Sequence, residues 1–363
     1  MASLKFDPKR LDFLDVARGS AALLILLEHG FQHCFPEYVQ FSVTNIVIGQ
    51  AGILVFFMIS GFVIPKSLES GQSNATFWQR RFFRLFPVYW FSIALAFGYL
   101  LLGGPTPIGV ELGDTKTWLA NAGLLQRVLN TPNIWGVYWS LHYEVALYIV
   151  CSILFACGLL RRIGPKSLVA ILVGYAVGFS ALPWLKGSPS GNGDLRLVLL
   201  ACLFGLMVQR YLAQRMTRAT FYGLLAGMFA VTLTVWGANR LSFPEATTVA
   251  QLLRWLTILA VATGGFVGLM ELRHRPMPRV ALWFGRRSYP IYLVHPFVLV
   301  LLVPTGWSTG IVLPTAIALS LLLAELTHRL VEKPGIALGR YLEQRPKRTV
   351  EPTAEPLPIR RAA

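Results

Sequence analysis

The stretch Leu14–Phe35, LDVARGSAALLILLEHGFQHCF, decides how this chain is read. A membrane helix needs roughly 20 mainly apolar residues, which this segment supplies, yet it also carries Arg18, Glu28 and His29. A charge at membrane depth costs about 3 kcal/mol or more, so such groups are read as functional by default. Arg18 and His29 stand eleven positions apart. At about 100° and 1.5 Å per residue, both side chains project from one helix face, about 16 Å apart along the axis.

Composition sets the solvent. The 363 residues are 55% hydrophobic and only 14% charged, with a mean hydropathy of +0.56, and apolar runs long enough to span recur throughout. This describes an all-α, polytopic integral membrane protein. Cys34, Cys151, Cys157 and Cys202 lie in or beside apolar segments without ligand-like spacing. They read as small hydrophobes, with no metal and no disulfide assigned. Lys5, Lys9 and Arg10 precede the first apolar run as in a signal peptide, but that run holds charges and has no small-x-small cleavage site. It is expected to be a retained first helix.

About ten transmembrane helices are predicted, over 16–36, 46–65, 84–103, 134–159, 167–185, 193–210, 219–238, 249–270, 281–303 and 309–332. The even-numbered connections and the helix ends beside them hold fifteen Lys and Arg: Lys66, Arg80, Arg81, Arg84, Arg161, Arg162, Lys166, Arg210, Arg215, Arg218, Arg273, Arg275, Arg279, Arg286 and Arg287. The odd-numbered connections hold four, Lys116, Arg127, Lys186 and Arg240. Basic loops stay cytoplasmic, so both termini are expected there. The net charge of +16 then faces anionic headgroups of the lipid bilayer, and no nucleic-acid partner is implied.

Residues 1–338 are expected to form one transmembrane domain, and the Pro- and charge-rich 339–363 a flexible cytoplasmic tail. The longest outer connection, about 104–133, reads as a loop with one short helix. No paired, Gly/Pro-broken segments of the inverted-repeat kind occur.

Four polar clusters can carry chemistry. Arg18, Glu28 and His29 form the first; the plain alternative is an arginine snorkelling to headgroups and a histidine satisfied by a carbonyl. The second is FWQRRFFRLFPVYW (77–90), where Arg81 and Arg84, three apart, suit bidentate phosphate binding. A basic amphipathic segment is also a common interfacial device. The third, WGVYWSLHYEVALY (135–148), places Ser140, His142 and Glu144 at the start of a span. Glu144 would orient an imidazole for general-base catalysis, or pair structurally with an arginine. The fourth, FGRRSYPIYLVHPFVL (284–299), aligns Ser288, Tyr292 and His295 at i, i+4 and i+7. That stripe serves substrate contact or interhelical hydrogen bonding. On these patterns alone an enzyme and a proton-coupled transporter or exporter are equally supported.

In order, these stretches resemble the membrane-bound acyltransferase family 3, which includes bacterial O-acetyltransferases of O-antigen and exopolysaccharide. The likeness rests on LDFLDVARGSAALLILLEHG (11–30), GILVFFMISGFVI (52–64), FWQRRFFRLFPVYW, YWSLHYEVALY (138–148), GRRSYPIYLVHPFVL (285–299) and the closing HRLVEKP (328–334). His142 stands where the family usually has a small or apolar residue, which puts a second imidazole near Glu144.

The resemblance implies an O-acyltransferase of the bacterial inner membrane, moving an acyl group, acetyl first among candidates, from acyl-CoA to a hydroxyl of a glycan or lipid-linked sugar, without a metal. Arg18, Arg81 and Arg84 would then hold the coenzyme's phosphates. His29 would act as general base with Glu144 orienting it, and Ser140, Tyr292 and His295 are candidates for substrate or oxyanion contact.

Overall fold

A computed structural model describes residues 11–45, 48–71, 73–104, 110–187, 193–245, 247–302 and 305–344. Among them there is no strand, and the chain runs through α1 (Asp12–Cys34), α2 (Pro36–Thr44), α3 (Ile48–Glu69), α4 (Asn74–Leu101), α5 (Thr115–Ala122), α6 (Gln126–Leu129), α7 (Trp139–Ala156), α8 (Pro165–Lys186), α9 (Gly193–Leu212), α10 (Arg218–Ser242), α11 (Val249–Glu271), α12 (Arg279–Leu302), α13 (Thr309–Thr327) and α14 (Lys333–Gln344). Among the described residues, eight helices are long and apolar enough to cross a membrane. The protein is an all-α, polytopic membrane protein. Two further helices of spanning length, α1 and α12, carry more charge, including Asp12, Asp15, Arg18 and Glu28 on α1 and Arg279, Arg286 and Arg287 on α12. These two bring the candidate site together.

Helix starts follow local chemistry. Ser73, Asp114, Thr217 and Thr248 each accept the amide of the residue three further on, satisfying a donor that the first turn leaves open. Pro36 and Pro165 open α2 and α8, where a missing N–H costs nothing. At the end of α8, Gly187 takes a left-handed φ of +61°, which a side chain would strain.

Between membrane helices close packing replaces the hydrophobic drive, because lipid is as apolar as the helix. Gly61 and Gly205 let α3 and α9 touch backbone to backbone: a Cβ on Gly61 would lie 2.0 Å from the Cys202 carbonyl oxygen, and one on Gly205 1.9 Å from that of Met58. These two helices form the centre, with 61% and 67% of their apolar windows buried. The window of α8 is only 17% buried, and Val169, Val173 and Val177 turn one exposed stripe outward, as a lipid-facing helix requires.

Several expected boundaries move. The third span was expected from 84, but α4 starts at Asn74, so the basic motif lies inside the helix and Pro87 is accommodated within it. The connection after α1, between the predicted spans 16–36 and 46–65, contains α2. Within 104–133 the structure has two short helices, α5 and α6, rather than one; residues 105–109 lie outside those described. The boundary expected at 338 falls within α14, which continues to Gln344 and packs on α4. There Gln79 donates to the Gly339 carbonyl at 3.0 Å, Arg80 grips Glu343 through two hydrogen bonds, and Gly339 lets Phe83 approach. The rest of the expected tail lies outside the described residues.

Candidate active site

Helices α1 and α12 run parallel and in contact. A Cβ on Gly19 would meet the Gly285 nitrogen at 2.7 Å, and one on Gly285 would meet the Asp15 carbonyl oxygen at 2.0 Å, so the backbones touch near the ends where both helices begin. Ten residues further along each helix stand His29 and His295. Their rings stack with centroids 5.1 Å apart, and His29 Nδ1 lies 2.8 Å from His295 Nε2. His295 is fully buried and its Nδ1 is 3.0 Å from the Ile291 carbonyl. His29 is only partly buried.

Glu144 takes a different place from the one expected. It accepts a 2.5 Å hydrogen bond from the Tyr148 hydroxyl and lines an inner cavity together with Arg18, Arg81 and Arg84. The imidazole paired with His29 comes from α12, and His29 has no hydrogen bond to Glu144. Position explains this: Glu144 sits near the start of α7 but shares its cavity with the arginines of α1 and α4, so it balances their charge.

The three arginines do converge. Arg18 pairs with Asp15 at 3.2 Å on its own helix. Arg81 lies over the Phe77 and Tyr148 rings, 5.3 and 5.4 Å from their centroids. Neither Arg81 nor Arg84 has a hydrogen bond or ion pair among the described residues. Three cations against Glu144, with Asp15 beside Arg18, leave the cavity positively charged in a low-dielectric surrounding, which favours an anionic guest. Arg80, from the same motif, lines the vestibule rather than the inner cavity and pairs with Glu343 at 2.6 Å.

The inner cavity is narrow, about 90 Å³, and shares Arg18, Val63, Arg84, Ser288 and Tyr289 with an open vestibule of about 1090 Å³. The vestibule adds Lys66, Arg286, Lys333 and Arg340, along with the buried His328–Glu332 pair, 2.6 Å apart in a π-helical turn. A wide basic mouth thus leads to a narrow inner cavity whose lining includes the three arginines and Glu144 but neither His29 nor His295. Tyr292, 6.3 Å from the His295 ring, lines the inner cavity on the histidine side.

Ser140 and Tyr292 are adjacent, with hydroxyls 2.7 Å apart, but their protons are engaged. Tyr292 donates to the Val137 carbonyl at 2.6 Å, and Ser140 also reaches that carbonyl at 3.2 Å. They tie α7 to α12. His142, the second imidazole near Glu144, points elsewhere: its Nε2 is 2.8 Å from Gln126 Oε1 in a network with Tyr89 and Asn121 that holds the outer connection.

The profile of the family described as an acyltransferase domain, Acyl_transf_3, matches residues 11–326, nearly all of the described chain. The chain belongs to acyltransferase family 3. This family-3 acyltransferase is 26% identical to acyltransferase MdmB of Streptomyces mycarofaciens, over 91% of this chain and 92% of the relative. It is 26% identical to exopolysaccharide production protein ExoZ of Rhizobium meliloti strain 1021, over 82% and 92%. It is 24% identical to the putative peptidoglycan O-acetyltransferase YrhL of Bacillus subtilis strain 168, over 79% of this chain and half of the relative. No solved structure matches it.

As an acyltransferase, the protein uses an acyl donor as co-substrate. The vestibule cations Lys66, Arg286, Lys333 and Arg340 were not singled out from sequence as a group. They come from three helices, Lys66 from α3, Arg286 from α12 and both Lys333 and Arg340 from α14, and only Lys66 and Arg286 stood among the basic residues counted beforehand.

Proposed function

We propose that this acyltransferase moves an acyl group, acetyl in the simplest case, from acyl-CoA to a hydroxyl of a cell-surface or exported glycan in a bacterial inner membrane. The observation that carries this reading is the convergence of Arg18, Arg81 and Arg84 on one narrow cavity open to a basic vestibule. With α1 and α12 counted as spans and the basic connections inward, both termini and the vestibule face the cytoplasm, where acyl-CoA is made. The vestibule suits the nucleotide, and the arginines suit its phosphates through charge-assisted hydrogen bonds. The narrow cavity suits the pantetheine arm, and the roughly 16 Å along α1 from Arg18 to His29 suits its reach.

In the proposed step, His29 Nε2 takes the proton of the acceptor hydroxyl while its oxygen bonds to the thioester carbonyl carbon. The C–S bond then breaks, and the coenzyme thiolate leaves with the proton returned by the imidazolium, giving an ester and free coenzyme. The resting Ser140 and Tyr292 protons are engaged with each other and with the Val137 carbonyl, so either hydroxyl has to leave that bond to donate to the transient oxyanion. Glu144 moderates the arginine charge in this reading. The names of the exopolysaccharide and peptidoglycan relatives support a glycan acceptor, whether free or lipid-linked.

The test is transfer of label from acetyl-CoA to glycan by the purified protein in nanodiscs. His29→Ala is expected to abolish transfer. Undiminished glycan acylation by a normally expressed His29→Ala variant would overturn the base assignment. Substrate flux without coenzyme release would favour the transporter reading instead.

A further inference from the structure

Both ring nitrogens of His295, on the polar stripe of α12, are engaged. Its Nδ1 faces the Ile291 carbonyl, 3.0 Å away on the same helix. A carbonyl oxygen can only accept, so Nδ1 carries the hydrogen, and in the neutral ring Nε2 is left as a lone pair. That lone pair faces His29 Nδ1 at 2.8 Å, so Nδ1 of His29 is the donor. The remaining nitrogen, His29 Nε2, then has no hydrogen, and it has no hydrogen-bond partner among the described residues. One backbone carbonyl on α12 thereby fixes the protonation of a ring on α1, through a second ring.

From this chain of single-donor bonds we infer that His295 is a positioning residue that locks His29 in the tautomer whose free Nε2 lone pair faces the reacting hydroxyl. The inference rests on the reading of His29 as the base. His295 touches no substrate: it is fully buried, whereas His29 is only partly so. Its place is that of the third group in a nucleophile–base–orienter arrangement, with a neutral acceptor where a carboxylate is more common. A neutral acceptor suits membrane depth, because it orients the base without placing a second charge in a poorly solvated site.

The register of the helices supports the same role. The Gly19–Gly285 contact lies ten residues before the histidines on both helices, so two parallel helices of equal rise deliver the rings to one level. When His29 takes the substrate proton, its Nδ1–H bond to His295 becomes charge-assisted and strengthens. The pair therefore favours the state reached during transfer over the resting one, which is what raises a rate.

The experiment combines ¹⁵N NMR of histidine-labelled protein in nanodiscs with kinetics. The chain has six histidines, so subtracting the spectrum of His29→Asn assigns His29. At pH 8 the wild type is expected to show His29 protonated at Nδ1 and bare at Nε2. His295→Phe, which fills the space without an acceptor, should lose that tautomer and drop kcat by about 10²- to 10⁴-fold with the acyl-CoA KM held. His295→Gln, whose Oε1 can accept the same hydrogen, should keep the tautomer and recover most of kcat.

A wild-type His29 protonated at Nε2 overturns the inference without any variant, which covers the case of a His295→Phe protein that fails to fold. Wild-type kcat in a folded His295→Phe, beside an inactive His29→Asn, also overturns it and leaves the base assignment standing. An active His29→Asn removes the base assignment itself.

Discussion

The Tyr148 hydroxyl donates a 2.5 Å hydrogen bond to Glu144 from one turn further along α7, and its ring lies under Arg81. Tyr148→Phe removes only the hydroxyl and keeps that ring. Leaving a partly buried carboxylate short of a donor costs up to about 1–3 kcal/mol, so the variant should melt at lower temperature in detergent. Glu144→Ala should cost more, since it strands three arginines with less counter-charge. Thermal unfolding followed by tryptophan fluorescence checks both, and equal melting of Tyr148→Phe and wild type would contradict the account.

Arg81 and Arg84 have no ion pair or hydrogen bond among the described residues and are expected to bind the donor directly. A charge-assisted hydrogen bond contributes about 1.5–3 kcal/mol, so Arg81→Ala or Arg84→Ala should raise the acyl-CoA KM by about 10- to 100-fold. Arg80→Ala, whose charge is already met by Glu343, should change it less than either. Initial rates against acyl-CoA concentration separate the three. An Arg80 effect larger than that of Arg84 would reverse the assignment.

Gly285→Ala places a methyl group where the Asp15 carbonyl oxygen lies 2.0 Å away. No rotamer relieves a backbone clash, so α1 and α12 must separate. Overpacking of this kind costs about 1–3 kcal/mol. Activity per folded molecule should fall as well, because the histidine pair lies further along the same two helices. Size-exclusion yield and specific activity of the folded fraction measure the two effects separately.

His142 offers the opposite pattern. Its loss leaves Gln126 Oε1 in a buried network without a partner, at about 1–3 kcal/mol. His142→Ala should therefore melt earlier yet keep its activity per folded molecule at permissive temperature. A folded but inactive His142→Ala would return this histidine to the chemistry.

The sequence was most legible where membrane physics leaves few choices. Apolar length marked the spanning helices, and the cost of burying charge marked Arg18, His29, Arg81, Arg84 and Glu144 as residues needing a purpose. Partner choice was less legible. Glu144 stands one helical turn from both Ser140 and Tyr148 on α7, yet nothing in the chain says that it turns to arginines from α1 and α4. The spacing of Ser288, Tyr292 and His295 marked a polar stripe, but whether a stripe meets substrate or another helix depends on packing. The early start of α4 was hidden because arginines interleaved with aromatics read equally as an interfacial segment. Helix α14 was missed because charges and prolines following Pro334 masked its contact with α4.

His29 and His295 are separated by 266 positions of chain. Domains are synthesised from the N-terminus, and α1 is made long before α12. The base proposed above is thus made without its orienting partner, and on that proposal the nascent chain passes through most of its membrane insertion chemically unarmed. Arrival of the penultimate long helix completes the pair. On the same proposal, a chain stalled before that point would hold arginines able to attract a donor but no ring set to use it, and catalytic competence would itself report that insertion has finished.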